Sequence, residues 1–479
     1  MSDTRILHGR ILYWATVVLV LLTTTITNHT QDDENNPIFG VVEGMWFPEI
    51  ACDLGVGWER IIFDWSAHQP EGPDDWFPFF NIPDEWLQAA NDCDREVVAV
   101  VKATPAWATD GLPGAGVPNG LHLPVDDPDN HWANFMRRTA EYYASRGVKR
   151  FIIWNEPDIQ AGTYGFEFEG DLEDYFRMVK VAYLAAKQGN PAATLNLAGT
   201  TYWHDVNSGE RLYTDRLLER IASDPDGAEN DYYFDALSLH IYFRTDSVYD
   251  IVSEYRALLD SYGFTAKEIW ITETNASPNL DPDWPVTRPQ FQITTEQQAA
   301  FLLQSPALAL AAGADRVSAY KLYDQQLPPG GESFGLLIPR TDPEGPLIPR
   351  PGFHAWQTVI RYYNGVESAR LAQNDRVNAV QITHDNARMT LVAWSRFDRS
   401  TALEVSATAD KAYLIDLYGN QTIIRPENGV YRLHLPNATC EDDEGCVVGG
   451  MPVIFTQPMG DITMTEVTPE NRYTLTFNE

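Results

Sequence analysis

Arg150-Phe151-Ile152-Ile153-Trp154-Asn155-Glu156-Pro157 is a run of β-branched and aromatic residues that stops abruptly on a polar pair and a proline. The apolar part has the length of a strand, and its lack of alternation suits a strand buried on both faces, as in a parallel sheet. Working outward, similar runs lie at 39–46, 60–65, 96–103, 194–199, 236–242, 268–274 and 316–323. Between them are amphipathic stretches such as 131–146, 172–188, 248–262 and 294–312, apolar at helical spacing and charged on the other side. Gly147, Gly189, Gly263 and Gly313 follow these stretches, where a left-handed helix stop is expected. Eight strand–helix units predict an α/β fold, a (β/α)8 TIM barrel over 37–364. A doubly wound open sheet would usually carry a Gly-rich phosphate loop after its first strand, and Gly40 to Gly44 is not that pattern.

After a last barrel helix at 351–364 the texture changes to short alternating runs at 377–383, 389–395, 402–406, 412–417, 431–435 and 452–456. Turn pairs such as Asp385-Asn386, Gly419-Asn420 and Asn428-Gly429 separate them. The expectation for 365–479 is therefore a C-terminal all-β sandwich, with 457–479 either adding two strands or trailing. At the other end Arg5 and Arg10 precede the apolar run 11–22 and a polar stretch to 36, the layout of an export signal or an uncleaved N-terminal anchor. An extracellular or cell-surface location is expected, with no membrane contact beyond such an anchor. Cys440 and Cys446 flank an acidic loop and could close a small disulfide, whereas Cys52 and Cys93 can pair only if their helices adjoin.

The 479 residues carry 68 acidic against 34 basic side chains, a formal charge of −34 that repels nucleic acid, anionic membranes and polyanionic substrates. With 14 Trp and 22 Tyr the chain has the rings that a sugar-stacking cleft needs. The sequence holds no His/Cys cluster, no HExxH motif and no phosphate loop, so neither a metal nor an organic cofactor is expected.

Barrel active sites lie at the C-terminal ends of the strands, so polar residues at strand exits matter most. Besides the exit at Glu156, 236–242 ends Leu239-His240-Ile241-Tyr242 and 268–274 ends Ile271-Thr272-Glu273-Thr274. Hydrolysis of a glycosidic bond needs a proton for the leaving oxygen and an anion facing the developing oxocarbenium carbon, and Glu156 and Glu273 supply two carboxyls for those roles. They sit three units apart, across the barrel mouth. A retaining enzyme would hold the carboxyls about 5 to 5.5 Å apart, and a gap near about 9 Å would mean inversion.

Trp154-Asn155-Glu156-Pro157 and Trp270-Ile271-Thr272-Glu273 resemble the signature of the clan A glycoside hydrolases, retaining enzymes on a (β/α) barrel, over roughly 39–363. The run Trp154 to Asp158 is most similar to family 39, the xylosidases and iduronidases, and its relatives. The resemblance implies Glu156 as acid/base, Glu273 as nucleophile, Asn155 at the sugar 2-hydroxyl, Tyr242 bonding the nucleophile with His240 beside it, and Arg60 beneath the nucleophile. Trp65, His68, Trp107 and Trp154 are candidate subsite walls. At strand eight the clan's usual Trp is missing, and Tyr320 or Tyr323 is expected to replace it. The substrate implied is a neutral plant- or microbe-derived oligo- or polysaccharide. A catalytically silent carbohydrate-binding barrel and a transglycosylase using the same residues are the competing readings.

Overall fold

Eight parallel strands close into a barrel in chain order: β1 (Phe39–Val42), β2 (Trp58–Asp64), β3 (Glu96–Lys102), β4 (Arg150–Ile153), β5 (Thr194–Leu197), β6 (Ala236–Tyr242), β7 (Glu268–Asn275) and β8 (Arg316–Ala319). The computed structural model describes residues 37–479 apart from 288, 290, 441–445, 470 and 479; the N-terminal export or anchor segment lies outside the described residues. The strands are buried on both faces, as continuous Val/Ile runs require, and β3 reads buried from Val97 to Val101. Inside the barrel Trp58, Val98, Val100, Ile152, Ala236 and Trp270 pack together, with the two indoles 5.2 Å apart.

The strands β1, β4, β5 and β8 are shorter than their apolar runs, because the chain turns out of the sheet before the run ends. After β1, Gly44–Trp46 forms a 3-10 turn instead of continuing as strand. The helices His131–Ala144, Leu172–Gly189 and Thr295–Ala311 begin where side chains satisfy free amides: Asn130 accepts from Ala133 N, and Asp171 and Thr294 head capping boxes. Gly147, Gly263 and Gly313 take positive φ as expected of helix stops. Gly189 does not. It stays inside its helix, where a Cβ would lie 2.1 Å from the Arg137 carbonyl oxygen, so its smallness serves the contact between two helices.

The remaining strands are β9 (Val366–Gln373), β10 (Val377–His384), β11 (Arg388–Ser395), β12 (Thr401–Ser406), β13 (Ala412–Ile415), β14 (Gln421–Ile424), β15 (Val430–Leu435), β16 (Val453–Pro458), β17 (Met464–Val467) and β18 (Arg472–Leu475). They build a six-stranded sheet, β14-β13-β16-β11-β10-β9, and a four-stranded sheet, β15-β12-β17-β18. Leu391, Phe455, Leu403, Val405 and Leu433 pack between them as a sandwich core. Segment 457–479 contributes two strands, as one of its two expected forms.

Residues Pro37–Glu479 are one compact unit. From the last barrel helix, Pro351–Tyr363, Thr358 and Tyr362 donate to the carbonyls of Leu417 and Gly419, and Gln304 donates to Gly450 O at 2.7 Å. The helix Thr295–Ala311 is buried continuously from Gln298 to Ala309, touching β7 and β8 on one side and β9 and β10 on the other. Cys52 and Cys93 form a disulfide, bringing helix Pro48–Leu54 to the end of helix Asp84–Asn91, and Cys440 pairs with Cys446. Among the described residues no helix is long and apolar enough to cross a membrane.

Candidate active site

Left-handed backbone angles gather at the strand exits: Glu43 (φ 58°) after β1, Ala103 (70°) after β3, Trp154 (74°) and Glu156 (42°) after β4, and Phe243 (63°) after β6. Such angles are costly for residues with side chains and concentrate where function fixes geometry. At β4 the cost is met by anchoring: Trp154 N donates to Val101 O, and Glu156 N to Gly199 O at 3.1 Å. This turns the Glu156 carboxyl over the barrel mouth with its side chain 19% exposed.

Glu273 rises from β7 into the same space, with its side chain 9% exposed. Arg60 on β2 meets its Oε1 at 2.8 Å, and the Tyr242 hydroxyl donates to its Oε2. Arg60 also donates from Nη2 to Asn155 Oδ1 at 2.6 Å, and Asn155 Nδ2 donates to Glu167 Oε2 at 3.1 Å. Between the glutamates stands His240, with Nδ1 2.7 Å from Glu156 Oε1 and Nε2 3.6 Å from Glu273 Oε1. Its room comes from Gly199, where a Cβ would sit 2.1 Å from His240 Nε2. One donor atom from each of Glu156, His240 and Glu273 lies within 4.8 Å of the others.

Burial alone would raise the Glu273 carboxyl, but the charges of His240 and Arg60, the Tyr242 hydrogen bond and Lys321 outweigh it and hold Glu273 below the ordinary carboxylate value. Burial opposes charging of His240, yet Glu273 and Glu156 win and raise it. Tyr242 is pushed well above its usual value, by burial first and by Glu273 second, so it remains a donor. One carboxyl held in its ionised form and one less buried carboxyl therefore share a pocket. The same three donor atoms have the spacing of a divalent-ion site, but the Arg60 guanidinium already neutralises Glu273 there.

Tyr320 stands beside this centre, its ring 5.8 Å from Tyr242 and 5.6 Å from Phe334. Tyr323 faces away, edge-on to Phe47 at 5.0 Å and accepting from Arg340 N. Trp107 is half-buried, its indole donating to Gln69 O at 2.6 Å. Trp65, a candidate subsite wall, offers no surface to a ligand: it is 0% exposed, stacked on Phe135, with its indole bonded to Gln69. His68 and Trp154, also 0% exposed, are packed behind the site. Asn275, next in the strand after Thr274, is fully buried and donates to the carbonyls of Tyr320 and Phe334, which fixes the β8 exit.

Four polar residues of the mouth escape a reading of the sequence. Glu167 links Asn155 to Lys102, which meets its Oε1 at 2.7 Å. Glu43 and Lys321 pair at 2.7 Å across the exits of β1 and β8. Glu43 had a signal, since it follows the apolar run of β1 as Glu156 follows that of β4.

A family model described as glycosyl hydrolase catalytic core matches residues 126–326, which include both glutamates. Among solved structures, the chain is similar to a family 39 glycoside hydrolase from the gut symbiont Bacteroides cellulosilyticus WH2, with 17% identity, 88% of this chain and 80% of that one covered, and TM-score 0.65. It is also similar to the catalytic domain of GH30 xylanase C from Talaromyces cellulolyticus (14%, 89% and 97% covered, TM-score 0.57). A monomeric β-xylosidase from Caulobacter crescentus CB15 gives 13%, 89% and 98% covered, and TM-score 0.54. No curated protein sequence matches the chain. At these identities the structural likeness is one of fold.

Proposed function

We propose that the chain, a glycoside hydrolase by its catalytic-core match over residues 126–326, cleaves O-glycosidic bonds of neutral oligo- or polysaccharides with retention of anomeric configuration. The observation that supports this reading is the approach of one Glu156 oxygen and one Glu273 oxygen to within 4.8 Å, which fits the about 5 to 5.5 Å of retaining pairs better than the about 6.5 to 9.5 Å of inverting ones. Glu273, ionised and held at both oxygens by Arg60 and Tyr242, attacks the anomeric carbon as its bond to the leaving oxygen breaks. Glu156, bonded to His240, gives its proton to that oxygen. A glycosyl ester on Glu273 results. Water then hands a proton to Glu156 while its oxygen attacks the same carbon, which frees Glu273 and completes retention.

The bonds that orient the Asn155 amide through Arg60 and Glu167 support a contact from Asn155 to the 2-hydroxyl, and the contact of Tyr320 with Tyr242 supports Tyr320 as the strand-eight residue beside the nucleophile. The neutral substrate follows from the pairing of the cations at the mouth: Arg60, Lys102 and Lys321 each face a carboxylate. Export is supported by the Cys52–Cys93 disulfide, which persists in an oxidising compartment.

The test is turnover of 4-nitrophenyl xylosides, arabinosides, glucosides and galactosides by the wild type and by Glu273→Ala. Wild-type turnover, a loss of about 10⁴-fold or more in the variant, and a first-formed product of unchanged anomeric configuration by NMR are expected. An inverted product overturns the mechanism, and an active Glu273→Ala variant overturns the site.

A further inference from the structure

The Glu43–Lys321 pair takes no part in the bond cleavage described above, yet it stands at the rim of the same pocket. It joins the exits of β1 and β8, neighbouring strands of the barrel, and β8 also adjoins β7, which carries Glu273. The side chains of Glu43 and Lys321 are 18% and 14% exposed, shielded by the cleft but not sealed from it. Glu43 holds a left-handed backbone angle of the kind found at Glu156, on the same face of the barrel. Lys321 Nζ lies 5.6 Å from the centre of the Tyr320 ring, which in turn meets the ring of Tyr242, the residue bonded to Glu273. The pair therefore lies on the nucleophile's side of the pocket, where the sugar that becomes covalently bound must sit.

The hydrogen-bonding inventory of the pair is incomplete. Lys321 at 2.7 Å and the Trp46 indole at 3.4 Å both fall on Glu43 Oε2. Among the described residues Oε1 has no hydrogen-bond partner, and Lys321 uses one of its three N–H donors on Glu43. One free acceptor beside free donors matches two adjacent hydroxyls, one of which donates while the next accepts.

Resting on the retaining-hydrolase reading, we propose that Glu43 and Lys321 determine glycone specificity. Glu43 Oε1 accepts from one hydroxyl beyond C2, and the Lys321 ammonium donates to its ring neighbour, so the enzyme selects neutral sugars with both positions free and unsubstituted. Neither residue moves a proton in the reaction. A site built around such a charged pair rejects a sugar that leaves it unanswered, since the desolvated carboxylate and ammonium then have nothing to replace water.

The test is a cycle between protein and substrate. The best 4-nitrophenyl glycoside of the panel and its 3-deoxy and 4-deoxy analogues are measured with the wild type, Glu43→Gln and Lys321→Met. For the wild type, at least one deoxygenation lowers kcat/KM by about 10- to 100-fold. In the variants the same deoxygenation costs less than about threefold, because its partner is already gone. Losses that simply multiply overturn the proposal, as they mean that the pair only braces β1 against β8. If both variants fail to fold, the wild-type arm still decides: a loss below about fivefold for both deoxy sugars overturns the proposal. A wild type that turns over no glycoside of the panel overturns the hydrolase reading and this one with it, whereas turnover with a multiplicative cycle overturns this one alone.

Discussion

Arg60→Met keeps most of the side-chain volume of Arg60 and removes the guanidinium that binds both Glu273 and Asn155. The ion pair it breaks is 2.8 Å long with side chains 4% and 9% exposed, so little water is available to take over. Removing one partner of a buried pair costs about 3–5 kcal/mol, and the remaining partners His240, Tyr242 and Lys321 place the expected loss near the lower end, about 3 kcal/mol at pH 7. Its pH dependence follows from the sign of the Glu273 shift. The folded carboxyl lies below its ordinary value of 4.5, so its stabilisation is present above that pH and is lost as pH falls through the folded value. Without Arg60 that stabilisation shrinks, and the gap between wild type and variant is widest near neutrality and closes in acid. The acidic limb of kcat/KM, which reports the free enzyme's ionised nucleophile, moves to higher pH. Urea unfolding at pH 7 and pH 4 and a pH profile on a nitrophenyl glycoside measure both effects. A gap below about 1 kcal/mol at pH 7, or an unmoved acidic limb, would refute the reasoning.

Three further outcomes follow from the packing. His384, buried under the last barrel helix and facing Arg388, is held down to about 4, by burial first and then by that charge, so the fold loses stability as pH falls from 6.5 through about 4; His384→Asn narrows the difference between urea midpoints at pH 7 and pH 4.5, and an unchanged difference counts against it. The Cys52–Cys93 bridge spans 41 residues, for which loop-closure entropy gives about 4 kcal/mol; the double Ala variant unfolds at lower urea while kcat stays within about twofold of wild type, and a large loss of kcat would show that the bridge shapes the site. Trp65→Leu costs about 3 kcal/mol or more of stability but leaves KM for aryl glycosides unchanged, since the indole is 0% exposed; a raised KM in folded protein would return Trp65 to the cleft wall.

The barrel was legible because strands buried on both faces have continuous apolar runs, and most of its helices because their polar faces repeat at helical spacing; the helix Thr295–Ala311 instead lacks the expected charged side, being buried from Gln298 to Ala309. Strand ends were not legible. Trp154 looks like strand, but its φ of 74° takes it out of the sheet, and nothing in its apolar character announces that turn. β9 was missed since Glu367, Ser368 and Arg370 leave it without clean alternation; its pairing with β10 supplies the order that its own residues do not. In the site, Glu156, His240, Tyr242 and Glu273 stood out because each interrupts or terminates an apolar run, whereas Arg60 and Asn155 were reached through the resemblance to the clan. Glu167 lies in a loop, where a charged residue is unremarkable until Asn155 is seen to donate to it. Lys102 and Lys321 look like solvent-facing cations, and only the fold brings their carboxylate partners to them. Trp65 failed in the opposite sense, since an aromatic at a strand exit can face the cleft or the surrounding helices, and composition does not say which.

From Gln298 to Ala309 the helix Thr295–Ala311 has no face left for water, because sandwich strands clothe the side that the barrel leaves bare. A gene trimmed after residue 364 would hence encode a catalytic half with a greasy flank, prone to clump instead of to work. The β layer is structural masonry, for without it that side of the barrel would be bare apolar surface.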